Sequence, residues 1–400
     1  MRDSLRAEHE KTRSDSRRPS RRGVLGAAAA TALPLLGVAP RAAAVSGSSS
    51  ELFYVSTWTA GEIHGARFDA GRGTMTAIGP VAAADSGWAT AHPVRPVLYV
   101  GSSKDGGVVS SYAVDPATGA LRQTGQVATD TGGTGGGGLA HLAVDEPSHT
   151  LLVANFEAGL VASLALGRGG ALGAAPLSVV TDTGSGPNPR QLGPHPHHVV
   201  VTPDGRHVLV ADFGADRVFA HGFDRATGTL SAGSSSYATA PGSGPRRLVF
   251  HPDGRTVYLL NELTADLQTL QWRPRSGELT SRQLITTNAP GHTGTTSAAE
   301  LALSRDGRFV YASNRGENSL VVLAVDARTR LLTVVQRIPC GGTTPWSFTV
   351  HRSGRWLFVA NEASGTVDLF GIDRRSGQLA ATGASLAVPT PDCVTFWYGG

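Results

Sequence analysis

One pattern returns seven times along this chain, and it constrains the fold more than any other feature. The unit is a short apolar strand, a turn often spelled P-D-G-R, a second apolar strand ending in a small polar residue or Asn/Asp, then a third strand and a hairpin D-x-x-[ST]-G-x-L. The clearest copies are HHVVVTPDGRHVLVAD (197–212), RRLVFHPDGRTVYLLN (246–261), ELALSRDGRFVYASN (300–314) and WSFTVHRSGRWLFVAN (346–361). ATAHPVRPVLYVGS (89–102) and HLAVDEPSHTLLVAN (141–155) are weaker copies, and LFYVST (52–57) is the second half of a unit standing alone. Aligning the residue that ends the second strand gives Thr57, Ser102, Asn155, Asp212, Asn261, Asn314 and Asn361, spaced 45 to 57 residues apart. A repeat of that length is one four-stranded blade, with Asp-Gly supplying the left-handed backbone of its tight hairpin. The expected fold is therefore all-β, a seven-bladed β-propeller of four-stranded blades.

The missing half unit also predicts how the ring closes. Asp392-Cys393-Val394-Thr395-Phe396 reads as an eighth first strand with nothing after it, while the first blade lacks that strand. Pairing the C-terminal strand with the N-terminal blade would abolish an open sheet edge. Abundant glycine (51) and proline (23) with only 16% charged residues suits short strands and tight turns, and no stretch reads as a long amphipathic helix.

Residues 1–44 read differently. A basic region ends in SRRGVLG (20–26), an apolar run follows from about Val24 to Ala39, and Ala42-Ala43-Ala44 offers an A-x-A cleavage site. SRRGVLG resembles a twin-arginine export signal, and the apolar run, interrupted by Pro34, is too short to span a bilayer comfortably. The expected organisation is a cleaved signal peptide (1–44), a linker (45–50) and the propeller (51–400). The product would be exported, extracellular or in the cell envelope, with no stable membrane anchor. The formal charge of +4 belongs to that segment, since 1–44 holds nine Lys/Arg and four Asp/Glu, leaving 26 basic against 27 acidic residues. A nucleic-acid partner therefore has no electrostatic support. Cys340 and Cys393 are too few for a disulfide framework; a single bridge or two small buried side chains are the readings left open.

In a propeller the first strand of each blade lines the central channel and the second runs back, so residues opening strand one and following strand two share a face. His197 and Arg246 open first strands in the fourth and fifth blades; Glu262 and Arg315 follow the Asn ending second strands in the fifth and sixth. All four are expected at one mouth. His195 is placed beside them, as a supporting residue of the site or as part of the turn, and His198 toward the neighbouring sheet; Glu300 and Asn314 lie in the same layer, either orienting the arginines or in a purely structural hydrogen-bonding role, with His141 a weaker candidate of that kind.

Here QLGPHPH (191–197), PGSGPR (241–246), NEL (261–263), AAEL (298–301), DGRFVYASNRG (306–316) and the closing DCVTF resemble the propeller lactonase family, which includes 6-phosphogluconolactonases and carboxy-cis,cis-muconate lactonizing enzymes. The resemblance implies an active site of one His, two Arg and one Glu, falling on His197, Arg246, Arg315 and Glu262. It also implies a small anionic or sugar-derived lactone as partner. The chemistry agrees: opening a lactone needs a proton acceptor, a donor to the leaving alkoxide and positive charge against the oxyanion. His197 or Glu262 would take the proton, and the arginines would bind anion and oxyanion. Arg247, where the family commonly has His, and Trp346, where it often has Arg, are departures that count against a phosphosugar substrate.

The expected activity is lactone hydrolysis of the 6-phosphogluconolactonase type, with no cofactor. Lactonization by the same groups and a non-catalytic extracellular binding propeller are the alternatives. Two arginines make the mouth a poor cage for calcium, and no metal is expected. The glycine-rich run at 132–138 opens no helix, and no G-x-S-x-G elbow sits between a strand and a helix. Oligomeric state is not legible.

Overall fold

The computed structural model describes residues 50–102, 104, 107–129 and 138–399. The expected signal peptide and nearly all of the linker and glycine-rich run lie outside them. The described residues form seven four-stranded antiparallel sheets, the propeller expected from the repeat. The only helix among them is a single 3-10 turn, Glu146–Ser148. Second strands such as Thr150–Asn155, Thr256–Asn261 and Phe309–Asn314 are buried along their whole length, whereas outer strands such as Leu379–Ala387 alternate with solvent. This gradient explains why the second strand carried the strongest sequence signal.

The core is divided among the blade interfaces. Seven apolar clusters fill them, one between each neighbouring pair; Phe53, Phe68, Phe358 and Phe396 sit in the cluster joining the seventh blade to the first. Ring closure is as expected: Pro391–Trp397 pairs antiparallel with Glu51–Thr57, with Phe53 opposite Phe396 and Tyr54 opposite Thr395. The Asp-Gly turns place Gly205 and Gly254 at φ +69° and +68°. In the third blade the turn lacks that glycine, and His149 takes the left-handed position itself at φ 51° after the 3-10 turn. Cys340 and Cys393 are free and buried, the reading of two small core side chains.

A recurring irregularity positions the mouth. First strands are bulged near their channel-mouth ends: Pro196 pairs with Asp212 and His198 with Ala211, Pro245 with Asn261 and Arg247 with Leu260, Pro345 with Asn361 and Ser347 with Ala360. The extra residues are His197, Arg246 and Trp346. A bulge bends the strand and re-aims one side chain, and here it turns the same position of three blades toward the channel opening.

Candidate active site

A cavity of about 390 Å3 opens at that mouth, lined by His195, His197, Arg246, Arg247, Glu262, Arg315 and Trp346 together with Arg190, Glu157, Trp58, Trp88 and Phe156. Its volume suits one small molecule. His197, Arg246, Glu262 and Arg315, drawn from three blades, are thus brought together.

Glu262 is their hub. Its Oε1 accepts from Arg190 Nη1 at 2.7 Å and pairs with Arg315 Nη2 at 2.9 Å, while Oε2 faces Arg246 Nη1 at 3.4 Å. Burial works to raise its pKa, but Arg315, Arg246 and Arg190 outweigh burial and hold the carboxyl down to about 2. Arg246 is 2% exposed. Burial pushes its pKa down and Glu262 opposes, so the guanidinium keeps its charge through that pairing. Arg246 Nη1 also meets His197 Nε2. Burial, then Arg246 and Arg247, hold His197 well below the usual histidine range, which leaves a neutral imidazole that accepts from Arg246.

The remaining candidates divide. His195 lies in the loop before the bulged strand; its ring stacks on Phe156 at 4.5 Å and its Nδ1 meets the Phe156 carbonyl at 2.7 Å. Arg247 stacks over Trp88 at 4.2 Å and pairs with Glu300 at 3.1 Å. Glu300 itself is not part of the cavity lining, and burial pushes its pKa up against the pull of Arg247. Trp346 forms a wall with Trp58, ring centroids 5.3 Å apart, and carries the Arg315 guanidinium 4.7 Å over its face. His198 turns to the third blade as expected, its ring tilted against that of His141 with centroids 3.9 Å apart.

Asn314 is the exception. Its amide donates to Thr287 Oγ1 and Asn288 Oδ1 of the preceding blade, and its own oxygen accepts from the Glu317 N–H. No hydrogen bond joins its side chain to an arginine, because the residue before the mouth points back into the joint between blades. Among the described residues no group of three His, Cys, Asp or Glu is placed to hold a metal ion.

Sequence reasoning missed Trp58, Phe156 and Arg190. The first two follow Thr57 and Asn155, the repeat position that identified Glu262 and Arg315, so the same rule applied to every blade finds them. Arg190 sits in the connection between the third and fourth blades, outside the repeat. The connection is braced by Gln191, which donates to the Phe213 carbonyl and to Asp216 Oδ1, both at 2.7 Å.

Comparison with known proteins agrees with this architecture. The chain is 31% identical over 301 residues to a 6-phosphogluconolactonase of Bacillus subtilis, covering 75% of this chain and 84% of the relative. The structure of the periplasmic gluconolactonase of Pseudomonas aeruginosa superposes with a TM-score of 0.78 at 32% identity, covering 87% of this chain and 99% of that one. A solved protein of Lactobacillus plantarum gives a TM-score of 0.80 at 30% identity over 87% and 99% of the two chains. The profile of the family described as lactonase, 7-bladed beta-propeller matches residues 52–396, and the chain belongs to this lactone-hydrolysing family.

Proposed function

We propose that the protein hydrolyses a small anionic lactone outside the cytoplasm, with His197 as general base and Arg246 and Arg315 stabilising the oxyanion. The observation that carries this reading is the ionisation pattern of the mouth. Glu262, held down to about 2 by three guanidiniums, is too weak a base to activate water, whereas His197 is neutral and able to accept a proton.

Arg246 occupies the His197 lone pair. A substrate carbonyl that draws Arg246 to itself would free Nε2 for the attacking water and place charge where the oxyanion grows. The imidazolium then returns the proton to the leaving alkoxide. Glu262 keeps the arginines in place and charged. Four arginines against two glutamates in the lining favour a carboxylate or another anion on the substrate, and the Trp58–Trp346 wall offers a flat apolar face to its ring. Export is supported by the SRRGVLG segment and by the periplasmic description of the Pseudomonas relative.

The test is hydrolysis above the spontaneous rate of glucono-δ-lactone, 6-phosphogluconolactone and a carboxylated muconolactone, with and without chelator, by wild type, His197→Ala and Arg246→Ala. Turnover that survives chelator and falls at least about 100-fold in both variants supports the reading. No turnover of any lactone would overturn it in favour of a binding propeller.

A further inference from the structure

Two joints between blades are closed by the same Asn–Thr contact, and a third carries two acids in its place. At the joint between the second and third blades, Asn155 Nδ2 donates to Thr129 Oγ1 of the preceding blade at 3.1 Å, and Asn155 Oδ1 accepts from the Ala158 N–H at 3.0 Å. Asn314 does the same with Thr287 and Glu317 between the fifth and sixth. Between the third and fourth blades both partners are carboxyls: Asp212 takes the place of the Asn and Asp182 that of the Thr.

Asp212 Oδ1 accepts from the Ala215 N–H at 2.8 Å, matching the caps made by Asn155 and Asn314. Asp212 Oδ2 and Asp182 Oδ2 are both buried without a hydrogen-bond partner, while Asp182 Oδ1 pairs with His221 Nε2 at 2.9 Å. Asn can donate across the joint; a carboxylate cannot, and two carboxylates in contact away from water repel. The joint is equivalent to those of Asn155 and Asn314 only when one proton lies between the two acids.

This joint also bears on the mouth. Pro196, which has no N–H, stands opposite Asp212, and the side chain of Asp212 supplies the missing connection by accepting from the His195 N–H at 2.8 Å. The Phe213 N–H in turn donates to the His195 carbonyl at 2.9 Å. The bulge that aims His197 is thus tied on one side to Asp212.

We propose that Asp182 and Asp212 share one proton, and that Asp212 in this state is a positioning residue for His197. The inference rests on the lactonase reading for its effect on turnover. Burial first, and then the charge of Asp182, push Asp212 up to about 8, so the proton is retained at neutral pH and lost just above it. The groups around Asp212 are Asp182 just past the outer strand of the third blade, His221 and Arg217 from the third strand of its own blade, Asp216 in the following turn, and His195 from the entering loop. Deprotonation sets Asp212 against Asp182 and loosens the anchor of the His195–His197 segment.

The experiment compares full-chain wild type, Asp212→Asn and Asp212→Ala for kcat, KM and melting temperature from about pH 6 to about pH 9.5, bracketing the ionisation. Asn replaces the shared proton with an amide, as at the joints of Asn155 and Asn314. Expected are a wild-type kcat that falls above about pH 8 with KM little changed, an alkaline limb displaced or absent in Asp212→Asn, and a kcat about tenfold lower in Asp212→Ala that Asn restores. The gain in melting temperature of Asp212→Asn over wild type should widen from about pH 6 to about pH 8 and level off above it. An identical alkaline limb in wild type and Asp212→Asn overturns the positioning role. A melting-temperature difference that does not vary with pH overturns the shared proton. That second reading needs no substrate, so it decides the point even where a lack of lactone turnover has sunk the functional proposal separately.

Discussion

At the scale of single residues, Glu262 and Arg190 carry opposite predictions although they touch each other. Glu262 is 2% exposed among three guanidiniums, and Glu262→Gln leaves Arg246 buried without its compensating charge. The expected cost is about 3 kcal/mol of stability, read by denaturant unfolding, with turnover largely lost. The Arg190 side chain is 56% exposed, so Arg190→Ala should leave stability within about 0.5 kcal/mol while raising KM for an anionic lactone several-fold. A neutral lactone would show no such rise. The rate itself should follow His197. Activity appears as pH rises through a pKa held well below 6.5, so the acid limb lies under that value, and a limb at or above it would assign the base to another group. Glu262 and Arg315 were legible because the repeat fixes the position after each second strand. Arg190 was not, since the connection that carries it has no counterpart in other blades. Nor was the ionisation of Glu262, which depends on three residues distant in sequence.

At the scale of the strand and its joints, the Asn that ends four of the seven second strands is a construction element before it is anything else. Asn361 shows this apart from the cavity: its amide donates to the Cys340 carbonyl at 3.0 Å across the sixth joint and to Asp368 Oδ2 at 2.7 Å. Asn361→Ala should lower the unfolding free energy by about 1–3 kcal/mol, measured in urea, because a buried carbonyl loses its donor. Lactone turnover at saturating substrate should not change. The sequence showed the row of Asn residues clearly but not their direction. Asn314 was therefore left between the arginines and a structural role, and its contacts turn it into the joint. The bulges were equally hidden: strict alternation predicts that successive first-strand residues face opposite ways, and one inserted residue per strand, seen only in the pairing register, is what sends His197, Arg246 and Trp346 to the mouth.

At the scale of the whole ring, closure depends on one strand from each end of the chain, and the contact between them contains a titrating group. Asp392 is fully buried, accepts a hydrogen bond from Ser56 of the first blade, and has its other oxygen without a partner. Burial pushes its carboxyl up to about 7, only partly offset by the Ser56 hydroxyl. The folded ring then binds a proton that the unfolded chain, with an ordinary aspartate near 3.8, gives up earlier. Stability contributed in this way is present at acid pH and is lost as pH rises from about 4 to about 7, after which it is flat. Asp212 prolongs the same downward trend to about 8. Asp392→Asn should therefore melt higher than wild type at pH 8 and show a shallower slope from pH 5 to 8, because a neutral amide never has to ionise against the closed seam. Removing residues 391–400 tests the seam itself: it exposes the edge of Glu51–Thr57 and half of the aromatic cluster joining the seventh and first blades. If closure holds the ring together, the truncated protein should unfold or aggregate at temperatures where the full chain is intact, whereas a ring held by its other six interfaces alone would lose only a few degrees.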